Sequence, residues 1–187
     1  MILDSKIEEK LIEIVKKLSL DGYRFYHALA AVYWIRQLIK KGGGDEMILV
    51  PTMYLHDIGY KSTRGKENTH ESYQAAKESH MIVGAQMAEE ILKEMNFKPD
   101  KIKEIVHLIS VHDKLELLSS FNEQLVFEAD SLSGIDREKV KSNFSKEEYE
   151  KYLKSFEDNR MPLFKTETGK EALKKLWPIA KNYFQNS

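Results

Sequence analysis

The spacing of apolar residues restricts this 187-residue chain to a helical architecture. Near its start, Ile7, Leu11, Ile14 and Leu18 recur at steps of three and four, which places them on one face of an α-helix. Similar spacing recurs along most of the chain, and no useful length of sequence alternates apolar with polar residues as a half-buried strand would. The sequence therefore predicts an all-α protein.

Capping signals and chain breaks divide the sequence into separate helices. Capping boxes, in which two side chains satisfy free backbone N–H groups at a helix start, are predicted at Ser5–Glu8, Ser145–Glu148 and Thr168–Glu171. Periodic segments predict further helices over residues 24–41, 45–59, 79–96, 98–113 and 122–132, the third beginning at a Ser79 cap. Residues 60–72 are polar and interrupted by Gly65, so they are predicted to form an exposed loop.

Composition removes several classes of function. The chain has no cysteine, which excludes disulfides, thiolate nucleophiles and zinc–thiolate sites. Its formal net charge of -1 provides no overall field for binding nucleic acid or an anionic membrane. The N-terminal residues lack a signal-peptide pattern, and no apolar run approaches the ~18 residues of a membrane span. A cytoplasmic location without nucleic-acid or membrane partners is expected.

Four ionisable residues fall on the apolar faces of the predicted helices: His27, His80, His112 and Asp130. His27, for example, shares its helical face with Ala31 and Leu38. Burying an imidazole or a carboxylate costs roughly several kcal/mol unless the group is paired or bound to a metal. One such histidine is explained by a hydrogen-bond partner in the core, but this set favours a shared site, together with the adjacent pair His56-Asp57.

The other two histidines are predicted to lie outside that site. His107 precedes His112 by five residues, which is roughly 140° around a helix, so the two cannot face the same centre. We therefore predict that His107 is a surface or structural residue. His70 lies in the polar segment and is predicted to be solvated.

The order of these residues resembles the His…His-Asp…Asp signature of the HD-domain metal-dependent phosphohydrolases, over roughly residues 23–135. "YLHDIGYKS" is similar to the family's apolar-His-Asp-x-Gly turn, and "SHMIVGAQMAEEIL" is similar to its His-x-x-x-Gly-Ala helix. "IVHLISVHD" and "VFEADSL" occupy the places of its later histidine and its metal-binding aspartate. More loosely, "FEDNRMPLFKTETGKEALKKL" resembles the C-terminal helices of the bacterial HD nucleotide pyrophosphohydrolase-like group.

The resemblance implies an HD-domain-like helical bundle whose ligands converge on one divalent cation: His27, His56, Asp57 and Asp130. It implies a single domain over residues 1–187, with the metal-site core at about 23–135 and the helices of 136–187 packed on it. Imidazole and carboxylate ligands suit Mn²⁺, Fe²⁺, Co²⁺, Ni²⁺ or Mg²⁺. The implied function is hydrolysis of a phosphate ester or anhydride of a small molecule, with a nucleotide as the leading candidate, by metal-activated water.

The chain departs from the family pattern beside the His-Asp pair. Some family members carry a lysine directly after the His-Asp-x-Gly unit, whereas this chain has Tyr60 followed by Lys61. Lys61, Arg64 and Lys66 are therefore the candidates for binding the substrate phosphate, and a solvated basic turn is the alternative.

Two further departures concern the other candidate site residues. Val111-His112 stands where two-metal relatives often carry paired histidines. His80 and His112 are therefore assigned to contact with the substrate phosphate, or to a second metal bridged by Asp57. "DSLSG" replaces the Asp-Arg-Leu-Asp-Ala of the pyrophosphohydrolase-like group, so the substrate of that group does not transfer.

Two other functions remain open at this point. Some HD-domain enzymes are di-iron oxygenases with six similar ligands, and the corresponding set here is His27, His56, Asp57, His80, His112 and Asp130. A non-catalytic, ligand-sensing HD domain is the third alternative, although a sensor need not keep open metal positions. The catalytic residues predicted for the phosphohydrolase are Asp57, His80 and His112. The sequence identifies no general acid and leaves open the native metal, the substrate and whether the chain forms a homo-oligomer.

Overall fold

A computed structural model describes residues 3–63 and 68–185, which form helices and connecting turns without a strand. Its α-helices are α1 (Ser5–Leu18), α2 (Gly22–Gly42), α3 (Glu46–Leu55), α4 (Tyr60–Thr63), α5 (His70–Glu94), α6 (Pro99–Val111), α7 (Phe121–Ile135), α8 (Lys146–Asn159) and α9 (Glu167–Lys181). Two 3₁₀ turns cover Leu115–Leu117 and Met161–Leu163. The prediction of an all-α fold is confirmed. None of the described helices combines the length and apolar composition that crossing a membrane requires.

Helix α2 lies at the centre of the fold, between α3 and α7, and α6 packs against both α3 and α5. The apolar residues between these helices form the main core, in which Leu49, Met53 and Ile105 are fully buried. Burial of each such side chain contributes roughly 1.5–3 kcal/mol to folding. The predicted stripe of α1 also packs here, with Leu11 at its centre.

The C-terminal helices cover another side of α7. Phe127 of α7 packs with Phe156 of α8, with Phe164 just before α9 and with Trp177 of α9. The carboxylate of the buried Glu128 accepts hydrogen bonds from backbone N–H groups at the start of α9. These contacts place α8 and α9 on the helices that carry the candidate ligands. The extent of the domain over residues 1–187 stays a prediction.

Two of the predicted helix starts are displaced. Helix α1 is capped by Asp4, whose carboxylate accepts a hydrogen bond from the Lys6 N–H at 2.9 Å, and not by Ser5. Helix α9 is capped by Thr166, whose hydroxyl accepts from the Gly169 N–H, and not by Thr168. In both cases an equivalent oxygen lies one or two residues earlier, and the longer helix satisfies more backbone groups.

Helix α5 begins nine residues before the predicted Ser79 cap. Thr69 caps it, and Tyr73 and Ala76 already face inward, two turns and one turn before His80. The Ser79 hydroxyl instead donates to the Ala76 carbonyl within the helix. The predicted exposed loop over residues 60–72 is therefore partly wrong, because its ends form α4 and the start of α5.

The turn after α3 packs tightly against the middle of α5. A Cβ atom on Gly59 would overlap the carbonyl oxygen of His80 and lie 2.7 Å from the backbone nitrogen of Gly84. The glycine therefore lets the His56-Asp57 turn approach α5 backbone to backbone.

We expect Gly59→Ala to destabilise the protein by ~1–3 kcal/mol, the usual cost of forcing extra atoms into a packed contact. Chemical denaturation of the purified variant measures this effect. Gly22→Ala is the matched control, because a Cβ there meets no atom within 4 Å. Equal denaturation midpoints for the two variants would contradict the tight packing of this turn.

Candidate metal centre

Three helices bring four of the predicted site residues together. His27 comes from α2, His56 and Asp57 follow α3, and Asp130 comes from α7; all four are buried. His27 Nε2 lies 3.0 Å from Asp130 Oδ1 and 3.2 Å from His56 Nε2. Asp57 Oδ2 lies 3.4 Å from His27 Nε2 and 3.5 Å from His56 Nε2. The four side chains therefore direct nitrogen and oxygen donors at one point.

The other two predicted residues adjoin this point. His80 Nε2 lies 3.3 Å from His112 Nε2, and both nitrogens face Asp57 Oδ1, at 3.6 and 3.8 Å. The two carboxylate oxygens of Asp57 therefore face different histidine pairs. The donor atoms of His56, Asp57 and His112 lie within 4.8 Å of one another, as do those of His27, His56 and Asp130.

Helix ends orient two of the histidines. His56 and His112 directly follow α3 and α6, where the last carbonyl groups lack a partner within the helix. His56 Nδ1 donates to the Met53 carbonyl at 2.8 Å, and His112 Nδ1 donates to the Ile109 carbonyl at 2.7 Å. Each ring therefore carries its proton on Nδ1 and turns Nε2 inward.

The remaining two histidines have the same orientation. His80 Nδ1 donates to the Ala76 carbonyl at 3.2 Å. The Ser133 hydroxyl donates to the Asp130 carbonyl, so it accepts at His27 Nδ1. Hydrogen bonding of one ring nitrogen to the protein is typical of metal-binding histidines, since it fixes the tautomer that leaves Nε2 available.

This donor set fits a cation. Within each histidine pair, Nε2 faces Nε2, and Nδ1 already donates a hydrogen bond. Two neutral rings therefore turn lone pairs toward each other, and these lone pairs repel unless a positive charge lies between them. Two carboxylates complete the first group, and thiolates are absent from the sequence. Imidazole and carboxylate donors together suit divalent Mn, Fe, Co or Ni and also accommodate Mg²⁺.

The pKa shifts show that the two carboxylates favour a positive charge beside His56. Burial lowers the pKa of His56, but Asp57 and Asp130 outweigh burial and raise it to about 9. Burial raises the pKa of Asp57, but Arg24 and the surrounding imidazoles hold it well below its usual value. For His80, burial and the neighbouring His112 lower the pKa to about 3, so this imidazole is neutral near pH 7.

The sequence reasoning missed two arginines at the centre, the buried Arg24 and the mostly buried Arg160. Arg24 donates to Asp57 Oδ2, and its guanidinium lies over the Tyr60 ring at 4.0 Å. Arg160 donates to Asp130 Oδ2 at 2.9 Å. The position of Arg24, one turn before His27, was a usable signal. Arg160 follows Asp130 by 30 residues and gives no signal of this kind.

A cavity of about 400 Å³ opens beside the metal centre. Its aromatic lining residues are Tyr23, Tyr60, Tyr73, Phe144, Tyr152 and Phe156. Arg24, Lys77 and Arg160 bring positive charge to the lining, and Asp57, Asp113, Glu116 and Asp130 bring negative charge. The buried His80 and His112 also line the cavity. The residues from α8 and the segment before it show that the C-terminal part of the chain forms one wall.

Of the predicted phosphate-binding residues near the turn, Lys61 is the one that the structure describes. Lys61 is exposed, and its ammonium donates to the Lys17 carbonyl at 2.8 Å. The described residues that line the cavity do not include Lys61. Arg64 and Lys66 lie outside the described residues. Substrate binding by Lys61 and Arg64 stays a prediction.

The structure tests the predictions made for the two histidines outside the shared site, His107 and His70. His107 is half-exposed, and its Nε2 lies 2.9 Å from Glu123 Oε1, which confirms a place away from the centre. His70 begins α5, lines the cavity and is partly buried against Tyr152. The prediction of a fully solvated His70 was wrong because α5 begins earlier than expected.

Comparison with known proteins assigns the family. Residues 24–135 match the model of the HD domain family, which is well over half of the chain, so the chain belongs to this family. The chain is also similar to the crystal structure of a predicted HD superfamily hydrolase from an uncultured Thermotogales bacterium, with a TM-score of 0.64 and 16% identity. The similarity covers 95% of this chain and 89% of the other, and at this identity it shows a shared fold. No curated protein matches the chain.

Proposed function

We propose that this protein is a metal-dependent phosphohydrolase that cleaves a phosphate ester or anhydride of a small molecule, with a nucleotide as the leading candidate. The convergence of His27, His56, Asp57 and Asp130 beside a cavity lined by aromatic and charged side chains carries the proposal. Membership of the HD domain family and the fold shared with a predicted hydrolase support the same class.

The four convergent residues would hold the ion. A bound divalent cation supplies Lewis acidity and lowers the pKa of its water from 15.7 toward ~7. Arg24 keeps Asp57 ionised and restrains its carboxylate, while the backbone carbonyl partners of His56 and His112 restrain those rings. The site is therefore organised by hydrogen bonds that do not involve the substrate.

His80 and His112 have a narrower role than the sequence predicted. Because Nδ1 of each ring donates to a backbone carbonyl, the neutral ring offers only a lone pair to the cavity. A lone pair repels a phosphate oxygen but accepts a proton from water or binds a cation. We therefore assign these residues to holding the attacking water or a second, weaker ion.

Lys77 is the better-placed candidate for the phosphate-binding cation. It lines the cavity, and its ammonium lies 3.6 Å from Asp113 Oδ1, which is longer than a good hydrogen bond. Lys61, by contrast, points to the end of α1. Tyr23, Tyr73 and Phe144 offer the apolar and aromatic area that the base of a nucleotide needs.

A panel of nucleotides and phosphate esters, assayed with each divalent metal, tests the proposal. We expect metal-dependent release of phosphate or pyrophosphate that a chelator abolishes. Absence of release from the whole panel would contradict it. The di-iron oxygenase remains the second candidate, because His80 and His112 face the other oxygen of Asp57. Tightly bound iron with dioxygen consumption, and no phosphate release, would favour that alternative.

Metal should also stabilise the fold, because its ligands come from separate helices and are dispersed in the unfolded chain. At about 100 times the dissociation constant, the ion adds ~2.7 kcal/mol to the free energy of unfolding. For a chain of this size we expect the melting temperature of chelator-stripped protein to rise by about 5–10 °C with Mn²⁺ or Co²⁺. Thermal melts of the Asp57→Ala variant serve as the control, and an equal rise there would indicate nonspecific binding.

A further inference from the structure

Arg160 contacts the candidate metal centre, although it lies outside the residues 24–135 that match the HD domain family. It follows α8, 25 residues beyond the end of the matched segment at 135. Its side chain is buried except for 16% of its surface and lies at the inner part of the cavity. The C-terminal part of the chain therefore contributes a charged group to a site whose candidate ligands all lie within the family segment.

The guanidinium joins two carboxylates on different elements. Nη1 donates to Asp130 Oδ2 and to Ser131 Oγ, both at 2.9 Å. Nη2 donates to Asp113 Oδ1, just after α6. Asp113 also faces the ammonium of Lys77 at 3.6 Å. The planar guanidinium directs separate N–H groups at both carboxylates, which the single ammonium of a lysine cannot reproduce.

The two oxygens of Asp130 consequently have separate partners. Oδ1 lies 3.0 Å from His27 Nε2 and 3.4 Å from His56 Nε2. Oδ2 accepts a hydrogen bond from Arg160. If Arg160 were absent, Oδ2 would be released, and the carboxylate could rotate or bind an ion through both oxygens.

We propose that Arg160 is a positioning residue that holds Asp130 so that one oxygen, Oδ1, is offered to the metal. The inference rests on the proposed metal centre. Hydrogen-bond partners of metal ligands commonly change metal affinity by about 10–100-fold when they are removed. Arg160 would thus connect the C-terminal wall of the cavity with the affinity of the centre.

The test uses metal alone as the probe and the full-length protein. Chelator-stripped wild type, Arg160→Lys and Arg160→Gln are titrated with Mn²⁺ and Co²⁺ in competition with a chelating dye. We expect both variants to bind about 10–100-fold more weakly. The visible absorption spectrum of the Co²⁺ form should also change, because its intensity depends on the number and arrangement of ligand atoms.

Arg36→Lys is the matched control. Arg36 pairs with Glu8 and Glu46 away from the cavity, so its replacement should leave affinity and spectrum unchanged. Asp113→Asn is a second variant, of nearly unchanged shape, that weakens the other anchor of Arg160 and also the contact of Asp113 with Lys77. This variant should also bind the metal more weakly than wild type, but by a smaller factor than the Arg160 variants. Circular dichroism of the metal-free proteins checks folding.

The outcomes separate the inference from the proposed function. If wild type binds neither metal, the proposed metal centre fails. If wild type binds but both Arg160 variants keep its affinity and Co²⁺ spectrum, the positioning role is overturned. Equal weakening by Arg36→Lys would reduce it to a general structural ion pair.

Discussion

Asp57→Asn is expected to lower metal-dependent phosphate release by roughly 10³-fold or more, since it removes the charged ligand that supports the activated water. The two oxygens of Asp57 face the two histidine pairs of the centre, one oxygen to each pair. Asparagine keeps the shape but replaces one oxygen with an N–H donor group. That group cannot bind a cation, so bound metal should fall together with turnover.

The substitution also affects Arg24. A buried guanidinium that loses its carboxylate commonly costs ~3–5 kcal/mol, so a lower melting temperature is expected as well. Circular dichroism and elemental analysis at a temperature well below the transition separate loss of metal from loss of fold. Asp100→Asn, on the exposed first turn of α6, is the matched control and should keep full activity. A folded Asp57→Asn protein with normal metal content would remove Asp57 from the ligand set.

The second large effect is expected from the histidines beside the four candidate ligands. His80→Ala or His112→Ala should reduce turnover by ~10²-fold or more, the scale of a positioned proton acceptor or electrostatic group. The first metal should stay bound, because both variants keep all four of its candidate ligands. Turnover and metal content measured on the same samples test both statements.

His107→Ala is the internal control, because His107 lies on α6, the helix that His112 directly follows. Its ring is half-exposed and faces Glu123, so its loss should leave turnover nearly unchanged. Equal damage from His107→Ala and His112→Ala would contradict the roles assigned to the two faces of α6. If His80→Ala empties the first metal site, the ligand set has to include His80.

Helical register predicted the burial of the candidate site residues, because residues three, four and seven apart in sequence lie on the same face of a helix. His27, His80, His112 and Asp130 are all buried, as their spacing from apolar neighbours indicated. The adjacency of His56 and Asp57 was also informative. A helix end provides an unpaired carbonyl for the histidine and lets the next residue turn to the same side.

The charged groups around these residues could not be predicted in the same way. Arg24 is buried only because tertiary packing places a carboxylate and two tyrosine rings around it. Arg160 lies in a polar stretch, and its partner Asp130 is brought close by the docking of α8. Lys77 reaches the cavity because α5 begins at His70, and the cap that decides this start, Thr69, resembles several neighbouring polar residues.

The C-terminal wall of the cavity has a consequence for the order in which the site is completed during synthesis. The chain is synthesised from its N-terminus, so N-terminal segments can begin to fold before later ones have been made. All four candidate ligands have been made once residue 130 is added, whereas Phe144, Tyr152 and Arg160 follow. If the ligands converge before α8 docks, the centre lacks this wall at that stage and is open to ions in bulk water. The metal that the protein acquires would depend on the ions available to the nascent chain as well as on the finished site.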